Sequence, residues 1–301
     1  MDNLFSRFGL ISGVVFVFLI FISSVDSTES MKNGMTVRQL PQQIYPPMEN
    51  KVYSFAGEAM PDNFDNRERL NRELSVNAYW QSNTMLNIKK ANRYFPLMER
   101  ILAEEGVPDD FKYLAVAESD LRNATSHANA KGFWQFRKPA AKEMGLEVND
   151  EVDERYHVEK ATRAAAKYLT RLRKRFGTWT NAAAAYNVGQ GNFNSSRTKQ
   201  KEFSAFDMNM NIETSRYVFR LMAIKEIMSN PEKFGFYIDA SDKYPPLDNY
   251  YDVTVTSSVP NWADFAKEKG ISYRMLKVYN PWLVDYSLTV KKNTYHIKIP
   301  R

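Results

Sequence analysis

Between about residue 70 and residue 228 the apolar positions return every three or four residues, the spacing of a helix face, whereas after residue 244 they begin to alternate. Residues 79–104 carry Met85, Ile88, Tyr94, Phe95, Met98, Ile101 and Leu102 on one such face, and Gly106 ends the run. Val107-Pro108-Asp109-Asp110 opens the next helix, because proline presets φ for a first turn and the acids suit its positive end. Its stripe is Phe111, Leu114, Ala115 and Leu121. The spacing further predicts a short helix over 134–144 closed by Gly145 and a long one over 158–176 closed by Gly177. A helix over 181–186 capped by Thr180 follows, breaking at Asn187 to Gly191, and a last clear one spans 215–228. After Tyr244-Pro245-Pro246, residues 250–255 and 295–299 alternate as strands around two short helices, 262–269 and 273–279. The prediction is mainly α, followed by a small β-α-α-β unit.

The amino end lacks this periodicity. Arg7 precedes an unbroken apolar run from Phe8 to Ile22, and small residues follow at Ser23-Ser24. This pattern predicts a signal peptide or N-terminal anchor over 1–25, the run being short for a spanning helix of about 20 residues. Residues 28–62 are polar and punctuated by Pro41, Pro46, Pro47 and Pro61, so 26–75 is expected to be a linker or tether. The expected domains are then 76–240, all helical, and 248–301. Secretion across an inner membrane into a periplasm or envelope follows, with the N-terminal segment as a peripheral tether if it is retained. No cysteine follows the apolar run, so the chain is not expected to be a lipoprotein.

Composition removes whole classes of chemistry. The 301 residues include no cysteine, which excludes disulfides, thiolate nucleophiles and cysteine metal sites. His127, His157 and His296 are far apart with no ligand spacing, so neither a metal nor any other cofactor is expected. The net charge of +6 is modest, and its densest runs, 171–175 and 199–201, read as solvated helix faces rather than a nucleic-acid surface.

One carboxylate stands out. Glu118 lies four residues after Leu114 and three before Leu121, inside the apolar stripe of its helix. Burial there raises a carboxyl pKa, which suits a general acid, but a structural ion pair gives the same pattern. Trp134 and Tyr186 likewise read either as core aromatics or as site residues, and Gln135 as a turn cap or a ligand-binding amide.

Four segments in order change that balance. Ala117-Glu118-Ser119, Gly132-Phe133-Trp134-Gln135-Phe136, Ala185-Tyr186-Asn187-Val188-Gly189, and Glu213-Thr214 with Tyr217-Val218 resemble the motifs of the soluble-type (SLT) lytic transglycosylases. The upstream run Tyr94 to Glu99 through Gly106-Val107-Pro108 resembles the membrane-bound lytic transglycosylase D-like branch, and the likeness covers roughly residues 80 to 230. It implies a goose-lysozyme-like fold that cleaves the β-1,4 bond between N-acetylmuramic acid and N-acetylglucosamine of peptidoglycan. By the same resemblance Glu118 is the single acid/base and Ser119 helps orient it. Trp134, Gln135, Tyr186, Asn187 and Tyr217 would line the sugar cleft. Arg137-Lys138 and His127-Ala128-Asn129-Ala130 depart from the usual loops, without touching the acid.

Glycosidases ordinarily need two carboxylates. Asp120 points away around the helix, and Glu143, Glu147 and Asp150 read as surface, so no partner for Glu118 is found. A transglycosylase needs one, because the substrate supplies the nucleophile. The carboxy-terminal unit resembles a LysM module, a glycan-binding fold, through Tyr251-Asp252-Val253, Leu276, Asn280 and Ile297-Lys298-Ile299-Pro300. It departs from that pattern at Ser257-Ser258-Val259-Pro260 and Lys291-Lys292-Asn293. The expected activity is a lytic transglycosylase acting on peptidoglycan glycan strands; the rivals are a hydrolytic muramidase of the same fold and a non-catalytic wall-binding scaffold.

Overall fold

A computed structural model describes residues 48–301. The expected signal peptide or anchor, and residues 26–47 of the expected linker, lie outside the described residues. The remainder of that linker is built structure. Strands β1 (Ser54–Phe55) and β2 (Glu58–Ala59) form a tight hairpin, and helix α1 runs Phe64–Tyr79 behind an Asn63 cap. Phe55 is wholly buried and packs edge-on against Phe111, ring centroids 5.2 Å apart. Glu58 receives the backbone N–H groups of Trp179 (2.6 Å) and Thr180 (2.8 Å), orphan donors at a helix start. The polar, proline-punctuated text hides this because its few apolar anchors (Tyr53, Phe55, Met60) contact distant residues and show no period of their own.

Helix α2 (Gln81–Glu104) continues from α1 after a break at Trp80, and a 3₁₀ turn (Asp109–Phe111) leads into α3 (Lys112–Ser119). Then come α4 (Lys138–Glu143), α5 (Val158–Phe176), α6 (Trp179–Val188), α7 (Gln190–Gln200) and α8 (Ile212–Ser229). Helix α1 packs along α8, and α6 packs against both α5 and α8. Between α1 and α8 lies a buried ion pair: Glu73 accepts Arg216 Nε at 2.6 Å and Arg72 Nη1 at 2.7 Å. The helical body therefore begins well before residue 76.

Three local expectations are corrected. Residues 134–136 are not helical; Lys131 and Phe136 exchange backbone hydrogen bonds and Gln135 takes φ 47°, so the aromatic run closes a turn. A Cβ at Gly132 would sit 1.8 Å from the Arg155 carbonyl oxygen, so a long-range contact, not local period, dictates that turn. Thr178 rather than Thr180 caps α6, its hydroxyl accepting from Asn181 N at 3.1 Å. The chain does not unwind after Asn187: Gly189, at φ 84°, is the only residue between α6 and α7.

The final unit follows the expected β-α-α-β order. Strands β3 (Tyr250–Val255) and β4 (Tyr295–Pro300) pair antiparallel, Tyr250 opposite Pro300, with α9 (Trp262–Glu268) and α10 (Tyr273–Tyr279) between them in sequence. Trp262, Leu276, Ile297 and Ile299 fill its core, and Val152 of the helical body enters the same cluster. Asp153 N donates to the Trp282 carbonyl at 2.9 Å and Val284 N to that of Glu151 at 3.0 Å, so backbone ties join unit and body.

If residues 48–62 belong to the core, Phe55→Ala removes a fully buried ring and lowers unfolding free energy by about 3–5 kcal/mol in urea titration. A tether residue would leave the midpoint where it is.

Candidate active site

Helix α3 stops abruptly at Ser119, because Asp120 and Leu121 both take left-handed backbone angles, φ 52° and 50°. Such angles are unfavourable for side-chain-bearing residues and persist only when surroundings impose them. Here Asp120 Oδ1 accepts from Asn83 (2.8 Å) and Asn87 (3.1 Å) of α2, Lys90 Nζ holds its carbonyl at 2.6 Å, and Leu121 is buried. The stop fixes the last turn of α3, and with it Glu118, against α8.

Glu118 is half-buried, and Tyr217 of α8 donates its hydroxyl to Oε1 at 2.5 Å. Burial pushes the Glu118 pKa up from 4.5 to about 7; the negative charge of Glu213 adds to the rise, while the Tyr217 hydrogen bond and Arg220 oppose it. Burial, then the charge of Glu118, drive the Tyr217 and Tyr186 hydroxyls well above the ordinary tyrosine range, so both stay protonated. Glu118, Tyr186 and Tyr217 thus form one electrostatic group drawn from α3, α6 and α8.

The other expected site residues divide. Tyr186 Oη donates to the Trp134 carbonyl at 2.6 Å, pinning the 131–136 turn to α6. Gln135 is half-buried, and its Nε2 is spent on the carbonyls of Gly132 (2.8 Å) and Ala124 (3.2 Å). Asn187 is gripped by Thr214 Oγ1 (2.8 Å) and itself donates to Glu213 Oε1 (3.2 Å). Two expectations are corrected. Ser119 Oγ stands 3.0 Å from the Ala115 carbonyl and 2.9 Å from that of Phe133, so its proton ties α3 to the turn instead of orienting Glu118. Trp134 is completely buried with Nε1 on Thr162 Oγ1 (3.0 Å); it supports the turn from beneath and has no surface to offer a sugar.

The carboxylate missed in the sequence is Glu213. It sits exposed in the first turn of α8, acidic where a helix start favours it, and in the sequence only the motif around it marks it. Asn211, capping Thr214 N at 3.0 Å, was the local signal that α8 begins early enough to bring Glu213 to the site.

Taken together, a carboxyl whose pKa burial raises to about 7, a neutral phenol hydrogen-bonded to it and a flanking amide have the makings of general acid–base chemistry. Residues 97–209 match the family profile described as Transglycosylase SLT domain, and residues 251–301 match the Soluble lytic transglycosylase C-terminal LysM-like domain. The chain carries an SLT domain. It is 28% identical over 262 residues to the Membrane-bound lytic murein transglycosylase D of Escherichia coli K12, and equally to that of E. coli O6:H1. Those alignments cover 83% of this chain and 56% of each relative, so the chain spans about half the length of the curated relatives it matches. The matched SLT residues include Glu118, Gln135, Tyr186 and Asn187 but end before α8, so Tyr217 and Glu213 enter the site from beyond the profile.

The raised pKa has a thermodynamic signature. Folded Glu118 ionises near 7 and an unperturbed carboxyl near 4.5, so between these values the folded state keeps a proton that the unfolded state has lost, and stability falls as pH rises. Above pH 7 the buried charge destabilises by at most about 3 kcal/mol, less because the group is partly exposed. Glu118→Gln is therefore expected to exceed the parent by about 1–3 kcal/mol at pH 8 and to match it near pH 4 in denaturant titrations. A gap that does not change with pH would contradict the assignment.

Proposed function

We propose that this protein is a peptidoglycan lytic transglycosylase that cleaves the N-acetylmuramic acid β-1,4-N-acetylglucosamine bond, with Glu118 as acid and then base. The observation that carries the reading is the Glu118 carboxyl, half protonated near neutral pH and hydrogen-bonded to a phenol that stays neutral. The carboxyl proton passes to the bridging oxygen as the C1–O bond breaks, releasing the N-acetylglucosamine side as an alcohol. The resulting carboxylate takes the proton of the muramic C6 hydroxyl, whose oxygen bonds to C1 and gives the 1,6-anhydro ring. Intramolecular delivery supplies effective molarities of about 10⁵ M or more, so no second carboxylate is required. Tyr217 steadies the carboxylate form, and Asn187, Gln135 and the Tyr186 hydroxyl oxygen flank the sugar. Ser119 and Trp134 hold the turn that presents Gln135.

Glu213 favours one second reading. An exposed carboxylate close enough to raise the Glu118 pKa suits a base for water, which would make the enzyme a hydrolytic muramidase. The site belongs with an envelope protein exported to the periplasm, and the LysM-like unit with wall binding. No helix among the described residues is long and apolar enough to cross a membrane.

Digested sacculi analysed by mass spectrometry are expected to show 1,6-anhydro ends; reducing ends alone would establish the muramidase. Glu118→Gln is expected to lose at least ~10²-fold in rate while still binding sacculi. Undiminished digestion by that variant sinks the mechanism, and no release by the parent favours the scaffold. Because the acid form starts the reaction, rate falls as pH rises through the Glu118 pKa. Tyr217→Phe removes a bond that holds this pKa down, so the alkaline limb of the pH–rate profile should move to higher pH.

A further inference from the structure

Where the carboxy-terminal unit meets the helical body lies a cavity of about 400 Å³ that the proposed chemistry does not use. One wall is the middle of α2, the start of α5 and Phe133 of the 131–136 turn; the other is the connector 246–250, the end of α10 with Trp282, and Lys298 of β4. Tyr94 stands edge-on to Phe133, ring centroids 4.7 Å apart, and His157 stacks on Trp282 at 5.7 Å. Leu97 and Val278 add aliphatic surface.

The charges around this space do not balance. Arg93, Arg100, His157 and Lys298 line it against two acids, Glu159 and Asp248. Glu159 has Arg100 for a partner at 3.9 Å, and Asp248 is exposed to solvent. Arg93 and Lys298 are half-buried, and neither forms an ion pair among the described residues. Arg93 spends only Nε, on the Pro245 carbonyl at 2.9 Å, and lies over the Tyr244 ring; its two terminal amino groups stay free among the described residues. The Lys298 ammonium has only the Tyr250 ring, 4.6 Å away. His157 adds one more donor. Its Nδ1 accepts from Lys160 N at 3.4 Å, and burial with the nearby charges of Lys160 and Lys298 lowers the ring's pKa to about 3. The neutral ring therefore carries its proton on Nε2, which has no acceptor among the described residues.

Half-buried donors without acceptors call for a ligand that brings acceptors. These donors sit on α2, at the start of α5 and on β4, so they belong to both walls. A planar carboxylate has two oxygens and suits a single fork; a phosphate presents three oxygens about a tetrahedron and suits several separate donors. Asn123 and the tyrosine hydroxyls can serve as donor or acceptor, so they do not decide the matter. A neutral polyol would leave Arg93 and Lys298 without a counter-charge. The aromatic and aliphatic remainder of the lining asks for an organic body on the anion.

We infer that this junction cavity binds a small organic phosphate, its oxygens on Lys298, Arg93 and His157 Nε2 and its body against Leu97, Tyr279 and Trp282. Such a ligand touches the helical body and the carboxy-terminal unit at once, and its binding does not depend on what the active site cleaves.

The test is calorimetric titration of the full chain with four probes: phenyl phosphate, hexyl phosphate, inorganic phosphate and phenol. The better ester is expected to bind at least ~10-fold more tightly than inorganic phosphate, which lacks the body, and than phenol, which lacks the charge. Preference for the phenyl ester supports a soluble, ring-bearing phosphate as the source; preference for the hexyl ester supports a lipid phosphate. Lys298→Gln should weaken that ester at least ~10-fold, since the charge goes while the backbone ties of residue 298 to Asn280 stay. Arg93→Gln, on the opposite wall, should weaken it likewise. Lys292→Gln, at an exposed position of the same unit outside the cavity, should change nothing. Inorganic phosphate or phenol matching the better ester would overturn the proposal, as would failure of both esters to bind. So would full affinity in either cavity variant, or a loss in Lys292→Gln as large as that in Lys298→Gln.

Discussion

A carboxyl group that must be dry enough to hold its proton and open enough to exchange it can occupy very few places in a fold. Here it stands on the last turn of α3, and much of the helical body serves that placement. The left-handed pair Asp120-Leu121 ends the helix one residue after Ser119, and three side chains of α2 hold that unfavourable geometry. Helix α8 brings Tyr217 to the other side, and α8 is in turn locked to α1 through Glu73 and Arg216. Loosening any of these contacts changes how far solvent reaches Glu118, and with it the pH at which the group gives up its proton.

The helices that the sequence showed most clearly are those whose burial repeats with the helical period. Residues 158–176 match the predicted span because Ala161, Ala165, Leu169, Leu172 and Phe176 all turn to the core and Gly177 closes the helix. Helix α7 escaped notice because only Phe193 among its residues is buried, which leaves no period to read. The hairpin and the first turns of α1 escaped because the anchors of this segment answer to partners far along the chain, Phe55 to Phe111 and Glu58 to the start of α6. The turn at 131–136 misled for the opposite reason: adjacent aromatics imitate a helix face, while the close approach of Gly132 to Arg155 decides the backbone.

Within the site, Glu118 is legible as a carboxylate in an apolar stripe, whereas its surroundings, drawn from other helices, are not. Tyr217, expected in the cleft through the resemblance, reaches the acid because α8 packs against α3. Ser119 and Trp134 stand beside motif residues in sequence, yet their side chains turn inward to Phe133 and Thr162, one layer beneath the surface. Sequence adjacency to an acid does not distinguish a residue that faces the site from one that supports its wall. Glu213 shows the converse, an exposed acid at a helix start whose electrical influence reaches the interior.

The bond from Asp153 N to the Trp282 carbonyl, with Val152 buried in the small unit's core, bears on what counts as a module. A β-α-α-β unit of this size buries little surface by itself, and this one completes its interior with a side chain from far upstream. His157 stacks on Trp282, and Tyr295 gives its hydroxyl to Glu147 at 3.1 Å, so the borrowing extends along the whole 147–157 segment. The carboxy-terminal unit is therefore not portable. Moved to another protein without residues 147–157, it would arrive with a hole in its core and unpaired backbone along one edge, and recombination would have to carry two distant pieces of chain together.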